Sequence, residues 1–371
     1  MNVLVVTGIW PPDVGGPASH APEVATYLLS QGHAVTVLTT AGEPPAAAAF
    51  PIHWVSRRSP PGVRHAEAIR LIATHARRSD VVYSTGMMTR SWLGSRLAQT
   101  PYVLKLTSDP AFERARRRLH WTGSLEAFQA HPPRLATPLR GLRNRAVTSA
   151  AHIVTPSAFL GELAHGWGAA PDGVTVLPNP APSALGPPRE EVRADFGFAE
   201  PTFVFAGRLT EQKGLVLGVE ACRRAGAALV VAGDGPERRR IEGQGYARML
   251  GPLPRERVLD LFRAADAALL PSVWENFPHS VVEALAVGTP VISTRVGGVA
   301  EVVVDGVNGL LVEPGDVAAL AAAIRRFVDE PELAAELRRN AAASVEAFSA
   351  DRIYGALEEV LAQASRRRDP G

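Results

Sequence analysis

Thr202-Phe203-Val204-Phe205-Ala206-Gly207-Arg208-Leu209-Thr210-Glu211-Gln212-Lys213-Gly214 is the stretch that decides the fold. Its first five residues form an apolar run of strand length, Gly207 breaks the run, and a helical pattern follows Lys213-Gly214. The stretch therefore reads as strand, turn and helix, with Arg208 just past the strand and Lys213 at the opening of the helix. Two fixed cations on the carboxyl edge of a strand, beside a helix N-terminus with its own partial positive charge, suit a diphosphate. The same cations also read as solvated surface charges paired with Glu211, and the residues alone leave both readings open.

The pattern repeats in both directions. Strand-length apolar runs recur downstream at residues 228–231, 267–270 and 291–293, and upstream at 3–7, 35–39, 81–84, 102–106, 153–155 and 174–177. Helical patterns such as 20–30 and 66–76 lie between them, and strands separated by helices imply parallel sheets covered on both faces. Between the two series, Pro178-Asn179-Pro180-Ala181-Pro182, followed by Pro187-Pro188, excludes a helix or a central strand and marks a linker. Two doubly wound α/β domains are predicted, 1–180 and 181–349. The Ala-rich residues 318–364 read as two or three helices, the last of which, about 350–371, crosses back to the first domain. Ligands of such sheets lie beyond the carboxyl ends of the strands, and both domains are expected to present those ends to a shared cleft.

Composition agrees and excludes other classes. The 371 residues, 46% hydrophobic and 20% charged, are enough for two cores, and a net charge of +2 excludes a broadly basic nucleic-acid protein. Cys222 is the single cysteine, which excludes an internal disulfide and fits a reducing cytoplasm. The N-terminus has no basic leader region, and no apolar run approaches the roughly 20 residues that span a bilayer, so membrane contact is expected to be peripheral.

A second island, Glu275-Asn276-Phe277-Pro278 running on to Glu283, follows the strand run 267–270. Pro278 is expected in the first helical turn, leaving Glu275 in the loop and Glu283 more than one turn inside the helix. The N–H groups around residues 276–280 would then face an anion, with Glu283 free to bond sugar hydroxyls. Against this stands a plain reading of Glu275 as a capping acid and Glu283 as a partly exposed helix residue. Gly15-Gly16 and Gly233-Asp234-Gly235-Pro236, each after a strand, either bring backbone close to a ligand or simply turn. No Asp-x-Asp pair occurs, so neither a metal nor another cofactor is expected and Arg208 and Lys213 must supply the positive charge.

Pro11-Pro12-x-x-Gly15-Gly16, Gly207-Arg208-Leu209 with Lys213-Gly214, Gly233-Asp234-Gly235-Pro236, and Glu275 to Glu283 followed by Ala284-Leu285-Ala286-x-Gly288-Thr289-Pro290 occur in one order along nearly the whole chain. Together they resemble the family 4 retaining glycosyltransferases of the GT-B fold, the glycogen synthase and mannosyltransferase-like group. The resemblance implies two Rossmann-like domains facing across a cleft, with a nucleotide-diphosphate sugar held mainly by the second. It implies Arg208 and Lys213 on the diphosphate, Glu283 on the ribose, Glu275 with Asn276, Phe277 and Pro278 near the donor sugar, and the backbone near Leu250 and Gly251 at the base. It further implies transfer on one face of the sugar, the departing phosphate taking the acceptor proton.

One departure stands out. Family members often carry a histidine beside the donor sugar after the strand matching residues 102–106. Here Thr107-Ser108-Asp109-Pro110 follows, with Ser108 in the histidine's place. Asp109 either takes over a polar contact to sugar or acceptor, and so counts among the candidate catalytic residues with Arg208, Lys213 and Glu275, or is a turn residue before Pro110. On the acceptor side, residues 101–145 carry nine Lys or Arg against three acids. That balance suits an anionic membrane surface or a phosphorylated acceptor, and equally a solvated basic face. Trp92 and Trp121 read as sugar-stacking or as packing residues. The expected partners are a nucleotide-sugar donor and a glycan, lipid-linked or small-molecule acceptor, with no nucleic acid. The competing functions are a nucleotide-sugar epimerase or hydrolase and a non-catalytic sugar-nucleotide binder.

Overall fold

Alternation of strand and helix organises the computed structural model of the protein, which describes residues 1–13 and 16–366, the side chains of 16–19 excepted. The chain divides into two units, Met1–Pro178 together with the segment from Ile353 onward, and Asn179–Arg352.

The first unit is built on a seven-stranded parallel sheet of β1 (Asn2–Val6), β2 (Ala34–Ala41), β3 (Ile52–Ser56), β4 (Val81–Ser84), β5 (Tyr102–Lys105), β6 (His152–Thr155) and β7 (Val174–Val176), ordered β3-β2-β1-β4-β5-β6-β7. Its central strands are buried on both faces, which is why they read as continuous apolar runs. One face packs under the helix Gly16–Ser30 and the returning helix Ala350–Arg366, whose Leu357, Val360, Leu361 and Ala364 join Val24 and Leu28 in a single core. Polar contacts fix that helix. Tyr354 Oη donates to Glu23 at 2.7 Å, and His33 meets Glu358 at 2.8 Å.

The second unit repeats the plan with six parallel strands, β8 (Thr202–Ala206), β9 (Ala228–Ala232), β10 (Arg248–Gly251), β11 (Ala267–Leu270), β12 (Val291–Thr294) and β13 (Gly309–Val312), ordered β10-β9-β8-β11-β12-β13. In both sheets the strand order reverses beside the first strand of the unit, between β1 and β4 and between β8 and β11. These are the topological switch points at which open α/β sheets bind ligands.

The unit boundary falls two residues before the expected end of the first domain. Asn179 belongs to the second unit because its side-chain amide bonds the His279 ring at 3.0 Å, and Ala181 N donates to Phe348 O at 2.8 Å. The second boundary falls after Arg352, inside the helix that begins at Ala350. Residues 367–371, expected to extend this helix, lie outside the described residues.

Candidate functional site

Backbone hydrogen bonds assemble the site of the second unit before any side chain contributes. The loop after β8 is sewn to the loop after β9 by Gly207 N to Ala232 O at 3.0 Å and Leu209 N to Asp234 O at 2.9 Å, and the latter loop is held to β10 by Gly233 N to Gly251 O at 2.8 Å. Gly233 sits at φ +142, and a Cβ there would lie 1.9 Å from Gly207 O, so the approach of the loops requires glycine. This accounts for the Gly-Asp-Gly-Pro motif as architecture and sets Leu250 and Gly251 at the end of an edge strand beside it.

The cations follow from the turn. Arg208 is exposed at the carboxyl end of β8, and its side chain makes no hydrogen bond or ion pair among the described residues. Lys213 ends a single 3₁₀ turn, Glu211–Lys213, and Gly214 at φ +60 admits the chain to the helix Leu215–Ala225, which has no side-chain cap. Val273 N donates to Gln212 O at 2.8 Å, and the Gln212 amide donates to Trp274 O at 3.1 Å, tying this turn to the loop after β11. The tie delivers Lys213 to Glu275, with which it forms a short ion pair across 62 positions of sequence. Glu275 is 5% exposed, and the same carboxylate oxygen accepts from Ser272 Oγ at 2.8 Å.

Thus the two cations differ in kind, where the sequence reading treated them alike. Arg208 is available to an anion, whereas Lys213 is engaged by Glu275 and not left as a surface charge. Ser272 was missed by the sequence reading, since a serine beside a strand end carries no distinguishing signal. Pro278 precedes the helix His279–Ala286 as its N-cap residue instead of occupying its first turn, and the helix has no side-chain cap. Glu283 lies five residues into that helix, half-buried, with Arg255 Nε 3.6 Å from its carboxylate. Phe277 is buried against the core, its ring edge-on to His279, while Asn276 is half-buried beside it.

In the first unit, Gly16 opens the helix Gly16–Ser30, and Gly15 lies outside the described residues. Asp109 is corrected to a structural role. It is the N-cap of the helix Pro110–Leu119, with Oδ1 accepting from Ala111 N at 2.8 Å and Phe112 N at 3.3 Å. Its Oδ2 accepts from Gln129 at 2.9 Å and from the Arg143 guanidinium. At 1% exposed and fully bonded, Asp109 is placed to cap a helix and balance a buried cation, which leaves it no oxygen for a sugar. Arg143 is held in turn over the Trp167 ring at 3.9 Å, and Trp167 Nε1 donates to Gln129 at 2.9 Å. Ser108, half-buried, remains at the end of β5. Trp92 packs in the core, and Trp121 lies edge-on to Phe128, so packing accounts for both. Among the described residues no group of three His, Cys, Asp or Glu is arranged to hold a metal ion.

Two family models match successive parts of the chain, "Glycosyl transferase 4-like domain" over residues 15–180 and "Glycosyl transferases group 1" over 188–344. Glycogen synthase of Mycobacterium tuberculosis is 29% identical over 92% of this chain and 89% of its own length. D-inositol 3-phosphate glycosyltransferase of Acidothermus cellulolyticus is 34% identical over 53% of this chain and 50% of its own length. Among solved structures, sucrose-phosphate synthase of Thermosynechococcus elongatus superposes with a TM-score of 0.80 at 21% identity over 98% of each chain. Anabaena HepE in complex with UDP does so at 0.77 and 21%, over 98% of this chain and 100% of its own. Two parallel-sheet Rossmann-like domains of this kind define the GT-B class of glycosyltransferases. Within that class, the first part of the chain matches a glycosyl transferase 4-like domain and the second a glycosyl transferases group 1 domain, and the chain is a glycosyltransferase.

Proposed function

We propose that the enzyme transfers a hexosyl group from a UDP- or GDP-sugar to a hydroxyl of a glycan, lipid-linked or small-molecule acceptor, with retention at the anomeric carbon and without a metal ion. The observation that carries this reading is the exposed, unpaired Arg208 at the β8 switch point, beside the Lys213–Glu275 pair and an uncapped helix start. Arg208 meets the diphosphate, and Lys213 turns toward it as Glu275 exchanges its ammonium partner for donor-sugar hydroxyls. Glu283 bonds the ribose diol. The bond from C1 to the phosphate oxygen breaks on the face where the acceptor oxygen bonds, and the acceptor proton passes to the departing diphosphate. Such a route needs no side-chain base, in keeping with Ser108 in the family histidine's position and Asp109 fully bonded.

The basic segment 101–145 supports a further part of the proposal, peripheral contact with anionic lipid at the cytoplasmic face of the membrane. Leu135 is 76% exposed within this segment, next to Arg134. No helix among the described residues is long and apolar enough to cross a membrane.

Thermal unfolding with a panel of nucleoside diphosphates and their sugar conjugates tests the donor. Because HepE has been solved with UDP and with UDP-glucose, uridine compounds head the panel. A ligand at a hundred times its Kd adds about 2.7 kcal/mol of stability. A response to one base and its conjugate is expected, and no response to any member overturns the proposal.

A further inference from the structure

The first unit contains a cavity of about 230 Å³ at the carboxyl ends of β4 and β5, beside the switch point between β1 and β4. Four cations border it, Arg90, Lys105, Arg114 and Arg143, against a single carboxylate in its wall, Glu113. With Arg143 balanced by Asp109 behind the wall, the cavity keeps two positive charges in excess when Lys105 is protonated.

Two residues of its lining each hold a buried side-chain atom that is unspent. Arg143 is 1% exposed; its Nη1 donates to Asp109, yet its Nη2 is buried without a hydrogen-bond partner. Thr85 Oγ1 is buried in the same condition. Leaving a buried polar group unmatched is costly, so such atoms persist where a ligand completes them.

The backbone points the same way. Helix Met88–Ala98 starts at the cavity with no side-chain cap, its N-cap Met87 held in the left-handed region at φ 55. Backbone of this kind in a residue with a Cβ tends to gather at ligand sites. The guanidiniums feel one another as well. Burial, with Arg64 and Arg114 nearby, pulls Arg90 down to about 10, while burial with Arg117 and Arg118 lowers Arg114. An anion in the cavity would relieve all of these groups together.

We propose that this cavity binds a phosphate monoester carried by the acceptor. A phosphate monoester brings a charge of about −1.5 to −2 and three strong acceptor oxygens. It matches the charge excess and offers partners to Arg90, Arg114 and the helix N–H groups, with Thr85 and Arg143 in the wall behind them. A carboxylate supplies half the charge and one oxygen fewer. The inference rests on the glycosyltransferase reading above, in which the first unit serves the acceptor.

The test uses the full chain saturated with UDP, so that added phosphate does not report on the donor site. Isothermal titration compares glucose 6-phosphate, glucose, glucuronate and inorganic phosphate, for wild type and for the variants Arg90→Gln and Thr85→Val. Glucose 6-phosphate and inorganic phosphate are expected to bind, glucose not to, and each variant to weaken phosphate binding tenfold or more while the UDP affinity stays unchanged. A parallel arm measures co-sedimentation with phosphatidylcholine vesicles with and without phosphatidic acid. Vesicle binding that falls in both variants, together with no response to glucose 6-phosphate, would reassign the site to a lipid headgroup and overturn the soluble acceptor. Glucuronate binding more tightly than glucose 6-phosphate, or phosphate binding that survives both variants, overturns the proposal outright. UDP binding without any phosphate response sinks this inference alone; loss of both takes the donor reading with it.

Discussion

The two sheets share one strand order through six strands, yet their switch points carry opposite arrangements of charge. Beside β8 the enzyme exposes an unpaired arginine and keeps a compact Lys213–Glu275 pair next to it. Beside β4 and β5 it buries Arg143, assigns it a permanent counterion in Asp109, and lines the adjoining cavity with further cations. The first arrangement can exchange partners, because Lys213 remains partly exposed and its carboxylate has a second donor in Ser272. The second cannot, since a buried pair deprived of one member leaves a charge in low dielectric. Topology thus sets a candidate ligand site in each unit, while the burial of the ion pair sets whether that pair can exchange partners.

That contrast can be broken at several places. The largest effect is expected from Asp109→Asn, which leaves an amide oxygen to cap the helix but strands the buried Arg143 without its counterion. A loss of about 3–5 kcal/mol in urea-induced unfolding is expected. A variant that keeps wild-type stability but loses transfer activity would return Asp109 to the reaction. Arg208→Ala should do the reverse. Removing a donor that meets charge developing on the leaving group costs about 3–4 kcal/mol of activation free energy, or roughly a hundredfold or more in kcat. Its melting temperature should stay put, because nothing described in the fold rests on that side chain.

Glu275→Gln sharpens the comparison by releasing Lys213. Nucleoside diphosphate should bind on the order of tenfold more tightly, about 1.4 kcal/mol, while sugar transfer slows. Unchanged or weaker UDP binding in calorimetry would show that Lys213 does not move to the diphosphate.

A pH-dependent effect concerns Lys105, whose burial lowers its amine from 10.5 to about 7. Between those values the unfolded chain holds a proton that the folded one has lost, so this residue makes stability rise with pH from about 7 upward, its penalty being greatest below 7. Lys105→Met should flatten that slope, raising the Tm by several degrees more at about pH 6 than at about pH 10. An unaltered pH profile would mean that the amine is not desolvated in the folded state.

Reading the chain for apolar runs finds strands in proportion to their burial. All the central strands of both sheets announce themselves, because both faces are covered: every position of β4, β5, β8 and β11 is buried, and most are apolar. The three strands missed are β3, β10 and β13, and all three are sheet edges with half-exposed residues. Ile52-His53-Trp54-Val55-Ser56 illustrates why: with a single fully buried residue it offers no run to detect. The site divides along a similar line. Arg208 and Lys213 could be placed from local turn chemistry, as could the position of Glu283 inside its helix. Pairings could not. Lys213 finds Glu275 across 62 positions and Asp109 finds Arg143 across 34, so which cation stays free is a property of tertiary contacts that no local window contains.

The returning helix has a consequence for synthesis. Ile353, Leu357 and Leu361 belong to the core built around β1 and Gly16–Ser30, so the unit translated first is the last to have all its parts. Asn179–Arg352, by contrast, is contiguous and can close as soon as it leaves the ribosome. At the usual 5–20 residues per second, the stretch after Pro178 takes roughly 10–40 s to make, during which the apolar face of the early sheet waits without its cover. The nascent enzyme should therefore recruit a holdase to its N-terminal half, and release it when the last helix emerges.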